Sequence, residues 1–268
     1  MPKFAANLSM LYTELDFLDR YHAAARSGFR GVEFLFPYAY DKQELAARLR
    51  DNGLTQVLHN LPAGNWEQGE RGIACLPERR AEFRDGVARA IEYADALGCK
   101  QLNCLAGIAP QDADPAALRA TFVENLRLAA DELGRFGIRL LIEPINTYDI
   151  PGFYLSRTAQ ALDIIAETGS DNIQVQYDIY HAQRMEGELA NTIAGHLDRI
   201  GHIQLADNPG RHEPGTGEIH YGWLLEHIDA LGYQGWIGCE YKPAGATEAG
   251  LGWLEALGYG LQAEAATA

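Results

Sequence analysis

The stretch FRDGVARAIEYADALGCKQLNCLAGIAPQDADPAALRATFVENLRLAADELGRFGIRLLIE, residues 83–143, contains two copies of one pattern, an amphipathic helix followed by a short apolar strand. Apolar residues three or four positions apart form one stripe on each helix: Phe83, Val87, Ile91, Ala94 and Leu97, then Leu118, Phe122, Leu126, Ala130 and Leu133. Asp114 and Pro115 are typical of the N-cap and first turn of the second helix. Segments 101–105 and 139–143 resemble buried parallel strands.

The same alternation runs along the whole chain of 268 residues and predicts eight strands. The predicted strands are 4–7, 31–36, 55–59, 101–105, 139–143, 173–177, 202–205 and 236–240. This pattern fits either a closed barrel or an open doubly wound sheet. The open sheet usually has a glycine-rich phosphate loop after its first strand, but residues 7–16, NLSMLYTELD, contain no glycine. We therefore predict an α/β fold, a single-domain TIM-type (βα)8 barrel over residues 1–260, with 261–268 as a C-terminal tail.

The overall charge argues against one large class of partner. The chain has 37 acidic and 22 basic residues, a formal net charge of −15, and no run of Lys or Arg longer than two. Such a surface repels a nucleic-acid backbone unless a basic groove forms locally, so we expect no nucleic-acid partner. We expect a small-molecule substrate, and an anionic one would need a few cations concentrated inside the pocket.

The remaining composition is that of an ordinary globular protein. No run of about 18 apolar residues occurs, so we expect no membrane partner, and the N-terminal MPKFAANLSML lacks the features of a signal peptide, which favours the cytoplasm. Cys75, Cys99, Cys104 and Cys239 form no CxxC pair, which predicts reduced thiols rather than disulfides or a structural zinc site. The sequence neither requires nor forbids a homo-oligomer.

Four polar residues lie at or just past the ends of the last four predicted strands. They are Glu143, Asp178, Gln204 and Glu240. A single carboxylate after a strand is more often a helix cap or a surface charge, but the carboxyl ends of barrel strands converge on one face. Three carboxylates and an amide oxygen gathered there would need a proton or a cation, and such oxygen ligands suit Mg²⁺ or Mn²⁺ better than Zn²⁺.

Seven segments resemble the hydroxypyruvate isomerase family of xylose-isomerase-like barrels. These segments are FAANLSMLYTE, GFRGVEFLFPY, LHNLPAGNWEQGERGIACLP, EPINTYDIPGFYL, YDIYHAQRMEGEL, ADNPGRHEPGTGEIHY and GWIGCEYKP. The resemblance extends from Phe4 to about Trp253, nearly the whole chain. Tagatose and psicose epimerases and endonuclease IV share the same superfamily.

The resemblance implies a metal held by Glu143, Asp178, Gln204 and Glu240. It also implies that Glu143 and Glu240 are the acid–base pair that interconverts hydroxypyruvate and 2-hydroxy-3-oxopropanoate through an enediolate. Ketose epimerases have histidine where this chain has Gln204, which favours the hydroxypyruvate branch. A hydride shift is the rival mechanism.

The remaining candidates concern the substrate. The resemblance places His181 in the pocket, and Arg211 is a candidate for the substrate carboxylate because arginine can bind it with two parallel N–H groups. Arg71 and Lys242 are rival candidates for binding that carboxylate, and His59 is a further candidate substrate-binding residue. The alternatives are a structural histidine for His181, a surface-loop cation for Arg211 and a core histidine for His59. We expect Glu33 to accept a hydrogen bond from a site residue, Trp66 to belong to a lid or simply to pack in its loop, and Cys239 to face the core.

Other functions stay open at this point. A 2-oxo-tetronate isomerase shares parts of FAANLSM and GWIGCEYKP, and a ketose 3-epimerase is a more distant alternative. A metal-dependent DNA-repair nuclease would need a histidine-rich multi-zinc cluster and a basic face, which eight scattered histidines and the net charge do not favour. A sugar-acid binding protein without activity would bind the ligand without turnover.

Overall fold

Eight parallel strands form a closed barrel in chain order within residues 1–261, the part of the chain that the computed structural model describes. The strands are β1 (Lys3–Asn7), β2 (Gly31–Glu33), β3 (Thr55–Asn60), β4 (Gln101–Cys104), β5 (Arg139–Ile142), β6 (Ile173–Asp178), β7 (Ile200–Leu205) and β8 (Trp236–Cys239). β8 closes the barrel by pairing with β1. The predicted TIM-type barrel and its eight strands are confirmed. The predicted tail lies outside the described residues except for Leu261.

Helices surround the barrel and connect its strands. They are α1 (Arg20–Arg26), α2 (Lys42–Asp51), α3 (Arg80–Leu97), α4 (Pro115–Gly134), α5 (Thr158–Thr168), α6 (Ile179–Met185), α7 (Leu189–His196), α8 (Tyr221–Ala230), α9 (Thr247–Gly250) and α10 (Gly252–Ala256). The predicted stripe of α4 is buried, and the Asp114 carboxylate accepts a hydrogen bond from the Ala116 amide at 3.0 Å, as an N-cap does.

The second strand is shorter than predicted, and its pairing with β3 becomes irregular at Glu33. The pairing register with β3 shifts between Val32 and Glu33. Two residues on, the Leu35 carbonyl still accepts from the Asn60 amide of β3, but the Leu35 amide donates to the Ser9 hydroxyl, each at 2.9 Å. The chain therefore enters its loop early, and Leu35 becomes part of the wall of a cavity described below.

The interior of the barrel is plugged near the beginnings of its strands. A small apolar cluster of Ala5, Val57, Leu58 and Leu141 packs with Trp236, and residues from β1 and β5 can meet only inside the barrel. Gly31 leaves the room that the Trp236 ring occupies, because a Cβ there would lie 2.8 Å from that ring. The interior is therefore filled at this level, and the cavity described below lies towards the carboxyl ends of the strands.

Two expectations about the whole chain can be compared with the structure. Among residues 1–261, no helix combines the length and the apolar character that crossing a membrane requires. The four cysteines are free and buried, as predicted, and Cys239 lies in the core.

Candidate active site

A cavity of about 530 Å³ opens at the carboxyl ends of the strands, within the size range of small-ligand sites. Barrel enzymes build their active sites on this face, where the loops after the eight strands converge. The predicted site residues that line the cavity are Glu143, Glu240, His181, Arg211, Arg71 and Lys242. Asp178, Gln204 and His59 do not line it.

Two carboxylates and an imidazole lie close together beside the cavity, and two of them, Glu143 and His181, line it. Glu143 follows β5, Asp178 ends β6, and His181 lies in the first turn of α6. One atom from each lies within 4.8 Å of the others, and all three side chains are buried. Buried carboxylates this close repel each other unless a cation or a proton offsets their charge. The three residues therefore form a candidate metal site.

Glu143 is a buried carboxyl whose surroundings disfavour its charged form. Burial, and after it the nearby Asp178 carboxylate, raises the pKa of Glu143 to about 8. Arg211 and hydrogen bonds from Asn103 and Gln176 act in the opposite direction, and the Asn103 amide donates to Glu143 Oε2 at 2.9 Å. The Asn103 amide thus fixes the orientation of Glu143. The other carboxylate oxygen, Oε1, lies 3.8 Å from His181 Nε2.

Asp178 combines a structural and a chemical role. Its Oδ1 caps α6 by accepting from the amides of Tyr180 at 2.7 Å and His181 at 3.3 Å. Its Oδ2 is buried and has no hydrogen-bond partner among the described residues. Glu240 Oε2 is in the same condition. Unpartnered buried carboxylate oxygens are costly, and oxygens of this kind are the donors that a divalent cation binds.

The hydrogen bonds of Asn146 decide which nitrogen of His181 carries the proton. Asn146 Oδ1 accepts from the backbone amides of Tyr148 and Asp149, so its amide nitrogen must point the other way. That nitrogen lies 2.7 Å from His181 Nδ1, which therefore accepts. Burial lowers the pKa of His181 to about 3, so the ring is neutral and its proton sits on Nε2. The Nε2–H faces Asp178 Oδ2 at 3.6 Å and Glu143 Oε1 at 3.8 Å.

Glu240 lies beside the guanidinium of Arg211. Burial raises the pKa of Glu240 well above its ordinary value, and Arg211 is the largest opposing influence. Arg211 Nη2 lies 3.5 Å from Glu240 Oε2 and 3.8 Å from Asp178 Oδ2, while Nη1 lies 3.9 Å from Asp149 Oδ2. Arg211 thus shares its positive charge among three carboxylates.

Arg211 projects from a loop that Asp207 organises. The Asp207 carboxylate accepts four backbone N–H groups, those of Asn208, Gly215, Gly217 and Ile219, at 2.8–3.1 Å. Arg211 has a left-handed backbone (φ 57°), and both of its backbone polar groups are engaged, its amide by Asp207 O and its carbonyl by the Lys242 amide, each at 2.8 Å. The loop is therefore a fixed support for the guanidinium.

Gln204 belongs to a buried polar network under the carboxylates. Its Nε2 donates to Glu33 Oε1 at 2.7 Å, and its Oε1 accepts from Gln176 at 2.7 Å. Glu33 also accepts from Asn7 at 3.1 Å and from His202 at 2.7 Å, which agrees with its expected role as an acceptor for a site residue. The amide nitrogen of Gln204 donates to Glu33, so the amide oxygen of Gln204 points to the other side, towards Gln176.

Arg71 and Lys242 line the cavity from two different loops. Arg71 Cζ lies 4.1 Å from the centre of the Trp66 ring, and Nη1 donates to the carbonyls of Trp66 at 2.9 Å and Glu70 at 2.7 Å. Trp66 lies in a 3-10 helix (Trp66–Gln68), packs against Phe36 and lines the cavity. Lys242 is exposed.

His59 lies outside the cavity. The side chain is fully buried, stacks on Phe34 and meets the edge of Tyr38, and its Nδ1 lies 3.2 Å from the Asn60 carbonyl. Its neighbour Asn60 lines the cavity instead, because successive side chains of a strand point to opposite faces. The structure thus places His59 in the packing around the barrel and not beside a substrate.

We expect His59 to weaken the protein in acid. Burial lowers its pKa from 6.5 to about 4, so the unfolded chain binds a proton more readily than the folded one. The free energy of unfolding should therefore fall as pH drops below 6.5 and level off near pH 4. Between pH 7 and pH 5 the native protein should lose about 2 kcal/mol relative to His59→Asn, measured by urea unfolding. Parallel pH profiles would contradict this assignment.

Several site residues were not among the sequence candidates. They are Asn103, Asn146, Asp149, Gln176, Tyr180, Arg184 and Asp207. Asp149 and Tyr180 lie within the quoted family segments, and Asp207 stands in an Asp-Asn-Pro turn, so a signal was present. Their roles depend on contacts between loops after different strands, which no spacing along the chain reveals.

Comparison with known proteins agrees with this geometry. A family model described as xylose isomerase-like TIM barrel matches residues 21–257. The hydroxypyruvate isomerase of Escherichia coli (strain K12) is 59% identical over 255 residues, which are 95% of this chain and 99% of that protein. The 2-oxo-tetronate isomerase of Cupriavidus necator is 53% identical over 255 residues, covering 95% of this chain and 98% of that protein.

Solved structures share the fold. A crystal structure described as AP endonuclease, family 2 from Brucella melitensis has a TM-score of 0.94 and 45% identity, covering 96% of this chain and 99% of that one. An L-ribulose 3-epimerase has a TM-score of 0.74 and 23% identity, covering 96% of this chain and 86% of that one. At that identity the second match shows a common barrel and no more.

Proposed function

This chain belongs to the hydroxypyruvate isomerase family of xylose isomerase-like TIM barrels and is an isomerase. From that premise we propose that it interconverts hydroxypyruvate and 2-hydroxy-3-oxopropanoate by proton transfer through an enediolate. The observation that carries this proposal is the pair of buried glutamates, Glu143 and Glu240, that line one cavity beside a buried Asp and a neutral His. Such a pair supplies a base for one carbon and an acid for the next.

A divalent cation, Mg²⁺ or Mn²⁺, is the proposed cofactor. Glu143, Asp178, Gln204 and Glu240 would hold it, since their oxygens are the donors that hard cations prefer. When bound, the cation would act as a Lewis acid that stabilises negative charge on the substrate oxygens. His181 is an unsuitable ligand in this arrangement because its Nδ1 accepts from Asn146 and its Nε2 carries a proton.

The other side chains have separate proposed tasks. One glutamate removes a proton from C3 of hydroxypyruvate, and the other delivers a proton to C2. The hydroxyl proton on the C3 oxygen moves to the C2 oxygen, so that the former hydroxyl becomes the carbonyl of the product. His181 donates a hydrogen bond from its Nε2–H to a substrate oxygen. Arg211 supplies positive charge next to Glu240 and Asp178, where it counters the negative charge that builds up in the enediolate.

A four-carbon substrate is the second candidate. The Cupriavidus necator relative named 2-oxo-tetronate isomerase is 53% identical to this chain, and a cavity of about 530 Å³ is larger than a three-carbon acid requires. Both acids carry the same 2-oxo acid group beside a carbon bearing a hydroxyl. Parallel assays on hydroxypyruvate and a 2-oxo-tetronate would decide, and the higher kcat/KM identifies the substrate.

A nuclease function is disfavoured by the charge of the protein. The Brucella melitensis structure carries an endonuclease description, but this chain has a net charge of −15, and its candidate metal site contains one histidine. Phosphate backbones bind to basic surfaces. A gel-shift experiment with abasic DNA should show no complex.

We expect chelation to abolish activity and added Mg²⁺ or Mn²⁺ to restore it. Without a cation the buried carboxylates would have to take up protons, and the enediolate would lose its main charge stabilisation. Turnover of hydroxypyruvate should be followed by NMR after EDTA treatment and removal of the chelator, then after readdition of each metal. Full activity in thoroughly chelated protein would contradict the proposed cofactor.

A further inference from the structure

We propose that Arg71, held over the Trp66 ring, is the residue that binds the carboxylate of the substrate. This inference rests on the proposed 2-oxo acid isomerase function and assigns one of its recognition sites. It selects one among four cationic side chains that line the cavity, which are Arg71, Arg184, Arg211 and Lys242.

The first argument is the charge that surrounds each cation. Arg211 lies within 4.0 Å of three carboxylates, and Arg184 pairs with Asp149 at 3.3 Å, so their charges are largely offset. Across residues 1–261, no carboxylate forms an ion pair with Arg71 or Lys242. These two cations are therefore the ones whose charge an incoming anion can satisfy.

Glu70 precedes Arg71 in the sequence, but in the structure its carboxylate does not pair with Arg71. The Glu70 carboxylate is engaged by Arg79, whose Nη1 lies 2.6 Å from Glu70 Oε1, and by the amide of Asn65. Arg79 holds the pKa of Glu70 below its ordinary value, so this carboxylate stays charged and committed to Arg79. Because Glu70 pairs with Arg79, the guanidinium of Arg71 stays available for a ligand.

The second argument is the orientation of the guanidinium. The guanidinium is held by the Trp66 ring, whose centre lies 4.1 Å from Cζ, and by two hydrogen bonds from Nη1 to backbone carbonyls. Within the described part of the chain, nothing accepts a hydrogen bond from Nε or Nη2. These two atoms form the edge that binds a carboxylate with two parallel N–H groups. Lys242 is exposed and flexible, so ordering it on a ligand costs more conformational entropy.

The backbone next to Arg71 is also held in place. Gly72 has φ 113° and forms a bridge with Ala106, just after β4. A Cβ at this position would lie 2.4 Å from the Leu105 carbonyl, so only glycine allows the loop to approach so closely. Arg71 is thus attached to the rim of the barrel and is not part of a free surface loop.

Two probes separate carboxylate binding from general damage to the site. Dihydroxyacetone has the reacting hydroxyl and carbonyl of hydroxypyruvate with a neutral CH2OH in place of the carboxylate. Pyruvate has the 2-oxo acid group but no 3-hydroxyl, so it binds without isomerising. Arg71→Met should lower kcat/KM for hydroxypyruvate and the affinity for pyruvate, measured by calorimetry, by about 100-fold, while any activity on dihydroxyacetone changes less than about threefold.

The control is Arg89→Met. Arg89 also stacks on an aromatic ring, that of Tyr38, and donates to the Tyr38 carbonyl at 2.9 Å, but it does not line the cavity. This variant should match the native protein in every assay. Arg71→Lys should recover only part of the affinity for pyruvate, since lysine lacks the two parallel N–H groups.

Three results would overturn the assignment: equal losses on both substrates in Arg71→Met, native pyruvate affinity in that variant, or the selective loss appearing in Lys242→Met instead. A native protein that binds pyruvate through Arg71 but turns over no 2-oxo acid would refute the proposed function and leave the binding assignment standing.

Discussion

Glu143→Gln and Glu240→Gln should each lower kcat for hydroxypyruvate by about 10²–10⁴-fold, with both proteins still folded. Glutamine keeps the size of the side chain and one oxygen, but it can neither take up nor release a proton at the reacting carbon. Each change also replaces a buried carboxyl group, whose pKa burial has raised, with a neutral amide of the same size, so the melting temperature should not fall by more than a few degrees. Kinetics by NMR and calorimetric melting test both statements.

Exchange with deuterated water can assign the two glutamates. The variant that retains the base at C3 should still exchange the C3 hydrogen of hydroxypyruvate with solvent, even when turnover is almost lost. The variant without that base should lose exchange and turnover together. Native enzyme should place solvent deuterium in the product, and a product without solvent deuterium would indicate a hydride shift instead. Undiminished activity in the double variant would refute the acid–base proposal altogether.

Asp178→Asn should uncouple the two roles of Asp178. Asparagine is as good an N-cap as aspartate, so Oδ1 can still accept from the amides of Tyr180 and His181. Its amide nitrogen, however, replaces Oδ2 and would face two other donors, His181 Nε2 at 3.6 Å and Arg211 Nη2 at 3.8 Å. We expect affinity for Mn²⁺ to fall more than about 100-fold, and activity at limiting metal to fall with it.

Asp178→Ala is the matched comparison. It removes the cap as well as the charge, so it should be about 1 kcal/mol less stable than Asp178→Asn in metal-free buffer. Metal affinity is measured by calorimetric titration, and stability by urea unfolding with a chelator present. If Asp178→Asn binds Mn²⁺ as tightly as the native protein, Asp178 is a helix cap and not a metal ligand.

The sequence was sufficient for the barrel because its information is local. Apolar stripes at helical spacing, such as the one from Phe83 to Leu97, alternate with short apolar strands, and all eight predicted strands are present. The largest boundary difference, the end of β2, coincides with a register shift against β3 and with a hydrogen bond from Leu35 to the distant Ser9. A contact of that kind leaves no mark in the local pattern.

The sequence also placed the main acidic residues correctly at strand ends. Glu143 and Asp178 come together as expected because strand ends in a barrel share one face. Strand membership alone could not exclude His59, since its neighbour Asn60, the last residue of the same strand, faces the cavity. Side-chain direction separated the two.

What the sequence by itself determined is the class of fold and the residue types available at the mouth of the barrel. Only the tertiary structure decided which nitrogen of His181 carries the proton, which cations are already matched by carboxylates, and that Arg71 is left without one. The physical reason is the distance along the sequence between the groups that interact. Helices and strands are selected by interactions between residues a few positions apart, whereas charge balance and proton position depend on groups that meet only when loops from different strands are folded against each other.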